Sequence, residues 1–309
     1  MKKQSSVILN LALGVFIGLM LAVPLAFRNA ELKAEVTNNK KENKEVIKYY
    51  APKHPQQMTF AGEAVPLDRW DVKERFDREL LFNYYNQANM LFLMKLANRY
   101  FPDISERLKA AGVPDDFKYL CVAESNLLSG ARSRVGATGF WQFMPDTAPG
   151  YGLQANSNVD ERYDLIKSTD AATKYLKQAY NKFGNWTAAA ASYNCGQGGY
   201  NAQVTYQGTT NYYDLLLPEE TNRYIFRILA FKHIMENAED LGFVLDKEDM
   251  YAEIPHRVVE VSSSISNLAQ WARSQGTTYK MVKQMNPWIR GKSLAVTGGR
   301  TYQIKLPPQ

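Results

Sequence analysis

The sequence has few of the residues that build metal centres and disulfide frameworks. Its 309 residues include two cysteines and three histidines. Two cysteines are too few for a zinc site or a disulfide framework, and Cys121 and Cys195 lack the spacing of metal ligands. The three histidines are scattered along the chain, at His54, His233 and His256. We therefore expect no metal and no cofactor.

The sequence also lacks a strongly basic stretch, although its formal net charge is +6. A nucleic-acid-binding protein is expected to show a face rich in lysine and arginine, with aromatic residues between them. No such face is evident, so we expect no nucleic-acid partner. The modest basic excess fits an anionic cell wall or membrane surface, and it fits scattered surface lysines equally well.

One long apolar run is present, close to the N-terminus. Residues 7–27 contain Asn10 as their only clearly polar residue, and the run follows Lys2 and Lys3. About 20 apolar residues span a bilayer, and lysines beside such a span tend to stay cytoplasmic. The pattern predicts an N-terminal transmembrane helix within residues 1–28, with a cleaved signal sequence as the alternative. Either one places the rest of the chain outside the cytoplasm.

Composition divides the remaining chain into a linker and two domains. Residues 29–65 are polar and poor in apolar side chains, which predicts a flexible linker. Apolar residues recur every three or four positions over 66–245, which predicts a mainly α domain. Within it, we expect a helix to restart at Pro102 and an alanine-rich helix to end at Gly196 and the glycines that follow. Residues 251–309 show the order strand, helix, helix, strand, which predicts a small α+β domain.

One carboxylate lies beside an apolar stretch in the middle of the chain. Glu124 ends a predicted helix that starts near Phe117 and includes Val122 and Ala123. Apolar surroundings raise the pKa of a carboxyl group, and a carboxyl group that keeps its proton at neutral pH can act as a general acid. Residue type alone favours a capping or surface role, because few glutamates take part in chemistry.

Four motifs follow one another over about 100 residues. They are Glu124-Ser125, Gly-Ala-Thr-Gly-Phe-Trp-Gln-Phe-Met-Pro at 136–145, Ala-Ser-Tyr-Asn-Cys-Gly at 191–196 and Glu-Thr-Asn-Arg-Tyr at 220–224. This ordered set resembles the lysozyme-like (SLT) lytic murein transglycosylases, and among them the membrane-bound D-type branch. Phe140, Ser192 and Cys195 depart from the residues that are usual in the family. The resemblance implies a mainly α, lysozyme-like catalytic domain over 66–245.

The resemblance also implies a reaction in which Glu124 is the single acid. Glu124 would protonate the bond between N-acetylmuramic acid and N-acetylglucosamine in peptidoglycan. It would then take a proton from the muramoyl 6-hydroxyl, so that a 1,6-anhydro ring closes without water. Two alternatives stay open, namely a lysozyme-type hydrolase and a non-catalytic peptidoglycan-binding scaffold. By the same resemblance, substrate-binding or orienting roles are expected for Ser125, Trp141, Gln142, Tyr193, Asn194 and Tyr224.

The location implied by the resemblance is the bacterial cell envelope. The catalytic domain would lie in the periplasm, with the N-terminal helix in the inner membrane and glycan strands as the partner. Cys121 and Cys195 flank two of the motifs. If these motifs meet in space, the two thiols either form a disulfide bond in an oxidising compartment or stay free as small buried groups.

The C-terminal residues 251–309 resemble a LysM peptidoglycan-binding module. The match lies in Ile265-x-x-Leu268-Ala269, in the asparagine after the second helix, and in the final Ile-x-Leu-Pro. Three serines at 262–264 stand where the usual Gly-Asp precedes the first helix. The module is therefore expected either to bind glycan or to serve as a docking domain without affinity for sugar.

Overall fold

The computed structural model of the chain describes Lys33 and residues 48–308. The predicted transmembrane helix and most of the predicted linker lie outside these residues. Within the described part, no helix is both long enough and apolar enough to cross a membrane. Residues from Ala51 onward belong to one unit of mutually contacting elements, and all the contacts given below lie within it.

The regular secondary structure of residues 66–245 is helical, with loops between the helices, which confirms the predicted mainly α domain. Short 3-10 helices at Ala148–Tyr151, Glu161–Tyr163 and Tyr212–Asp214 connect parts of it. The α-helices of this region are α1 (Trp70–Tyr85), α2 (Gln87–Ala111), α3 (Phe117–Ser125), α4 (Leu165–Phe183), α5 (Trp186–Gln207) and α6 (Glu219–Glu236).

One predicted helix boundary is wrong, and another is confirmed as a kink. Pro102 lies inside α2, because apolar residues on both sides of it, including Met90 and Ile104, are buried in one core. This burial offsets the lost hydrogen bond and the steric clash of an internal proline, which together cost about 3 kcal/mol. In α5 the predicted break at Gly196 is present, although a second helical stretch follows it. The backbone departs from helical angles at Gly196 (φ 76°, ψ 147°), and the helix resumes up to Gln207.

The predicted linker is wrong for its last residues. Strands β1 (Thr59–Phe60) and β2 (Glu63–Ala64) form an antiparallel hairpin. Phe60 is fully buried and packs against Phe117, with ring centroids 5.2 Å apart. The Glu63 carboxylate accepts hydrogen bonds from the backbone N–H groups of Trp186 and Thr187, at the start of α5. The segment is ordered because the helices supply a core that its own composition lacks.

Small and apolar residues build the core between the helices. Helix α4 contacts α2 and α5, while α6 contacts α1, α3 and α5. Four consecutive alanines at 188–191 in α5 are fully buried, so the neighbouring helix backbones can approach closely. An ion pair also joins α1 to α6, because the buried Glu79 carboxylate accepts a 2.6 Å hydrogen bond from Arg223.

The C-terminal domain has the predicted βααβ order. Its elements are β3 (Arg257–Val261), α7 (Leu268–Ser274), α8 (Tyr279–Met285) and β4 (Tyr302–Leu306). The two strands are antiparallel, with Arg257 opposite Leu306 and Val261 opposite Tyr302. Helix α7 starts at Leu268, because the side chain of Asn267 caps it by accepting from the N–H of Gln270.

Candidate active site

Glu124 lies in the last turn of α3, where the helix stops at Asn126 in a left-handed conformation (φ 51°). Its side chain is half-buried. Helix α6 brings a tyrosine to it from 100 residues further along the chain, and the Tyr224 hydroxyl donates a short hydrogen bond to Oε1 of Glu124. The side chain of Glu124, the predicted acid, is therefore held in place by an adjacent hydrogen-bond donor.

The surroundings of Glu124 favour its protonated form. Burial is the main cause, and it raises the pKa of Glu124 from its ordinary value of 4.5 to about 7. The hydrogen bond from Tyr224 and the positive charge of Arg227 act in the opposite direction, and the negative charge of Glu220 adds to the rise. A large fraction of the protein therefore holds a proton on Glu124 near neutral pH, as a general acid would require.

Tyr193 lies near Glu124 but uses its hydroxyl elsewhere. Its O–H donates to the backbone carbonyl of Trp141 at 2.7 Å. Burial, with a smaller contribution from the charge of Glu124, holds the pKa of Tyr193 well above its ordinary value. Its ring packs edge-on against Tyr175, at 4.9 Å between centroids. Tyr193 thus stays neutral and ties α5 to the loop that carries Trp141.

That loop, residues 136–143, has an unusual backbone. Gly139 has φ 80°, and a side chain there would overlap the carbonyl oxygen of Arg162. Gln142 has φ 47°, which non-glycine residues seldom adopt. Its side-chain amide donates to the carbonyls of Gly139 at 2.8 Å and Ala131 at 3.2 Å. These two hydrogen bonds to backbone carbonyls therefore fix the side chain of Gln142 in the turn.

Sequence reasoning missed the residue that holds this loop. Arg162 is buried and donates through Nη1 to the carbonyls of Gly136 and Phe143, both at 3.0 Å. Its Nε and Nη2 donate to the two carboxylate oxygens of Asp160, at 2.9 and 2.8 Å. The pair lies outside every motif, and nothing in the sequence marks Asp160 or Arg162 as more than surface charges.

Residues 104–216 match the family described as transglycosylase SLT domain, and residues 257–309 match the soluble lytic transglycosylase C-terminal LysM-like domain. The chain is 29% identical to membrane-bound lytic murein transglycosylase D of Escherichia coli strain K12 over 213 residues. That alignment covers 67% of this chain and 46% of the relative, so the chain spans about half the length of the relative.

Two solved structures show weaker similarity. An inactive mutant of lytic transglycosylase Slt from Pseudomonas aeruginosa matches with a TM-score of 0.39 and 23% identity, covering 49% of this chain and 26% of that one. The 70 kDa soluble lytic transglycosylase of Escherichia coli matches with a TM-score of 0.39 and 19% identity, covering 60% of this chain and 37% of that one.

Three further predicted site residues, all within the matched residues 104–216, bind other protein groups in the structure. Trp141 is fully buried and donates its indole N–H to Thr169 at 2.9 Å. The buried Ser125 hydroxyl donates to the Cys121 carbonyl at 3.1 Å. The side-chain oxygen of Asn194 accepts from Thr221 at 2.8 Å. Contacts of these residues with a substrate stay predictions.

Cys121 and Cys195 are free thiols, so the disulfide alternative is not realised in this structure. The Cys121 thiol donates to the Phe140 carbonyl at 3.4 Å, whereas the Cys195 thiol is directed to the Ala191 carbonyl at 3.6 Å. Burial raises the pKa of both thiols, which keeps them protonated. In the described part of the chain, no cluster of histidine, cysteine and carboxylate side chains could hold a metal ion.

Proposed function

We propose that this protein is a peptidoglycan lytic transglycosylase. It cleaves the β-1,4 bond between N-acetylmuramic acid and N-acetylglucosamine and leaves a 1,6-anhydro-muramoyl end. The observation that carries the proposal is the half-buried Glu124, bound by Tyr224 and with its pKa raised to about 7, inside a matched SLT domain. The name of the Escherichia coli relative supports the same activity.

Glu124 acts first as the acid. Its proton passes to the glycosidic oxygen, so that the leaving sugar departs as a neutral alcohol. The N-acetyl group of the substrate stabilises the cationic centre that remains. Tyr224 donates to Oε1 of Glu124 and therefore stabilises the carboxylate that this step creates.

Glu124 acts next as the base. The carboxylate removes the proton from the muramoyl 6-hydroxyl, whose oxygen attacks the cationic carbon and closes the anhydro ring. Glycosidases that use water normally need a second carboxylate. Glu220, the acidic residue whose charge reaches Glu124, is ion-paired with Arg227 at 2.8 Å. This pairing favours the single-acid route over hydrolysis.

The same proposal assigns a substrate contact to Gln142 and a cellular location to the protein. Gln142 uses its Nε2 hydrogens on protein carbonyls, which leaves its amide oxygen to accept from an N-acetyl N–H. The enzyme works in the bacterial cell envelope, in keeping with the membrane-bound relative. The apolar run at residues 7–27 anchors it in the inner membrane, with the SLT domain in the periplasm.

Digestion of purified sacculi by the full chain tests this function. Mass analysis is expected to show anhydro-muramoyl ends, whereas a hydrolase would leave reducing ends heavier by one water. Glu124→Gln is expected to remove turnover while wall binding persists. Glu106→Gln, which removes an exposed carboxylate on α2, serves as the matched control and is expected to keep full activity. Turnover by Glu124→Gln, or reducing ends from the wild type, would contradict the proposal.

A further inference from the structure

Residues 158–160 form one of the contacts between the C-terminal domain and the SLT domain, beside the contacts of Gln154 with Arg300 and Tyr302. The backbone carbonyl of Asn158 accepts from the N–H groups of Arg290 and Gly291, at 2.8 and 3.1 Å. Its side-chain amide donates to the Ser293 carbonyl at 3.1 Å and accepts from the N–H of Ala295 at 3.2 Å. Asn158 therefore satisfies four backbone groups of the loop between α8 and β4.

The same segment enters the core of the C-terminal domain. Val159 is 1% exposed and belongs to the apolar cluster formed by that domain's helices and strands. Tyr163 joins this cluster, and the guanidinium of Arg290 lies 4.2 Å from the centre of its ring. A side chain at Gly291 would overlap the Asn158 amide and crowd the Ser293 carbonyl, so this close approach favours glycine. The C-terminal domain thus lacks a complete core without these SLT-domain residues.

Asp160 connects this attachment to the loop of the active site. Its backbone N–H donates to the Trp288 carbonyl in the C-terminal domain at 2.9 Å. Its carboxylate holds Arg162, which in turn binds the carbonyls of Gly136 and Phe143 at the two ends of the loop 136–143. A movement of the C-terminal domain would therefore move the group that clamps this loop.

The loop in turn contacts the side chains around Glu124. The Phe140 carbonyl accepts from the Cys121 thiol, one helical turn before Glu124 on α3. The Trp141 carbonyl accepts from the Tyr193 hydroxyl, which lies close to Glu124 on α5. Hydrogen bonds thus run from the C-terminal domain to the loop 136–143 and on to Cys121 and Tyr193, which lie close to Glu124, and each of these links is buried or half-buried.

We infer that the C-terminal LysM-like domain is a positioning element of the active site, acting through Asn158 and the Asp160–Arg162 pair on the loop 136–143. Asn158 and Gly291 are then positioning residues for the reaction of Glu124. The kinetic part of this inference rests on the proposed function. Its structural part does not, because the order of the loop can be measured without any turnover.

Hydrogen exchange on the full chain tests the structural part. Gly291→Ala forces Asn158 away, and Asn158→Ala removes two hydrogen bonds to the C-terminal domain. Both variants are expected to speed amide exchange over residues 136–143 by about tenfold, the scale of two lost hydrogen bonds. Asn267→Ala is the matched control, because it removes the cap of α7 and leaves the attachment intact. Wild-type exchange over 136–143 in both Asn158→Ala and Gly291→Ala would overturn the inference.

Steady-state kinetics on sacculi tests the functional part. Asn158→Ala is expected to lower kcat about tenfold, with KM and wall binding unchanged. Combined with Arg162→Lys, it should lower kcat by much less than the product of the two single effects, since both act on the same loop. Raised KM or lost wall binding at unchanged kcat would overturn the inference in favour of a glycan-binding domain. An inactive wild type would instead refute the proposed function, and the exchange result would still decide the structural part.

Discussion

Replacing Glu124 by glutamine should stabilise the protein at alkaline pH and leave its stability nearly unchanged at acid pH. Burial raises the pKa of Glu124 from 4.5 to about 7 in the folded state. Between these values the folded protein holds a proton that the unfolded chain has released. The contribution of Glu124 to stability is therefore fully present below about pH 4.5 and is lost as the pH rises through about 7.

The magnitude follows from the two pKa values. One pKa unit corresponds to about 1.4 kcal/mol, so a rise from 4.5 to about 7 corresponds to about 3 kcal/mol of lost stability once both states are ionised. Glu124 is only half-buried, and solvent screens part of this energy. At about pH 8 we therefore expect Glu124→Gln to raise the free energy of unfolding by about 2 kcal/mol relative to the wild type.

Urea denaturation followed by tryptophan fluorescence at about pH 4 and about pH 8 provides the measurement. The quantity to compare is the difference in unfolding free energy between variant and wild type, because effects of pH on all other groups then cancel. Glu106→Gln should show no such pH-dependent gain. An equal difference at both pH values would refute the reasoning, since the pKa of Glu124 would then not be raised by folding.

Three further changes have definite expected outcomes. Tyr224→Phe removes a hydrogen bond to the carboxylate of the acid, so the alkaline limb of the kcat/KM profile should move up by about one pH unit; no shift would contradict the assigned contact. Gly139→Ala should lower the unfolding free energy by more than about 2 kcal/mol, while Gly130→Ala, in open space, should change it little. Glu63→Ala should lower the free energy of unfolding by about 1 kcal/mol in thermal denaturation, because the N–H groups of Trp186 and Thr187 at the start of α5 lose their acceptor; an unchanged melting temperature would mean that residues 59–65 act as a linker.

The N-terminal part of the fold shows where local composition misleads. Residues 29–65 have too few apolar side chains to form a core, so the sequence predicts a linker. Phe60 and Val65 are nonetheless buried, since they need only fill gaps in a core that distant helices provide. Pro102 misled in the same way, because the cost of a proline inside a helix is local whereas the burial that offsets it is not.

The sequence likewise revealed some residues of the candidate site and not others. The sequence singled out Glu124 and Tyr224 through their motifs, and their hydrogen bond joins the two. It did not mark Arg162, whose partners lie 19 and 26 residues earlier and are backbone carbonyls that any residue could offer. Every residue has a main-chain carbonyl, so a side chain that binds such carbonyls cannot be recognised from the residue types of its partners.

The amino-acid sequence alone determined the helical periodicity, the βααβ order at the C-terminus and the apolar stretch that ends in a carboxylate. These features depend on neighbours a few positions apart, so a linear pattern records them. Tertiary structure alone decided that Glu124 is shielded enough for its pKa to reach about 7, and that the C-terminal domain shares its core with Val159 and Tyr163. Burial is a sum over contacts from remote parts of the chain, and it exists only once the chain has folded.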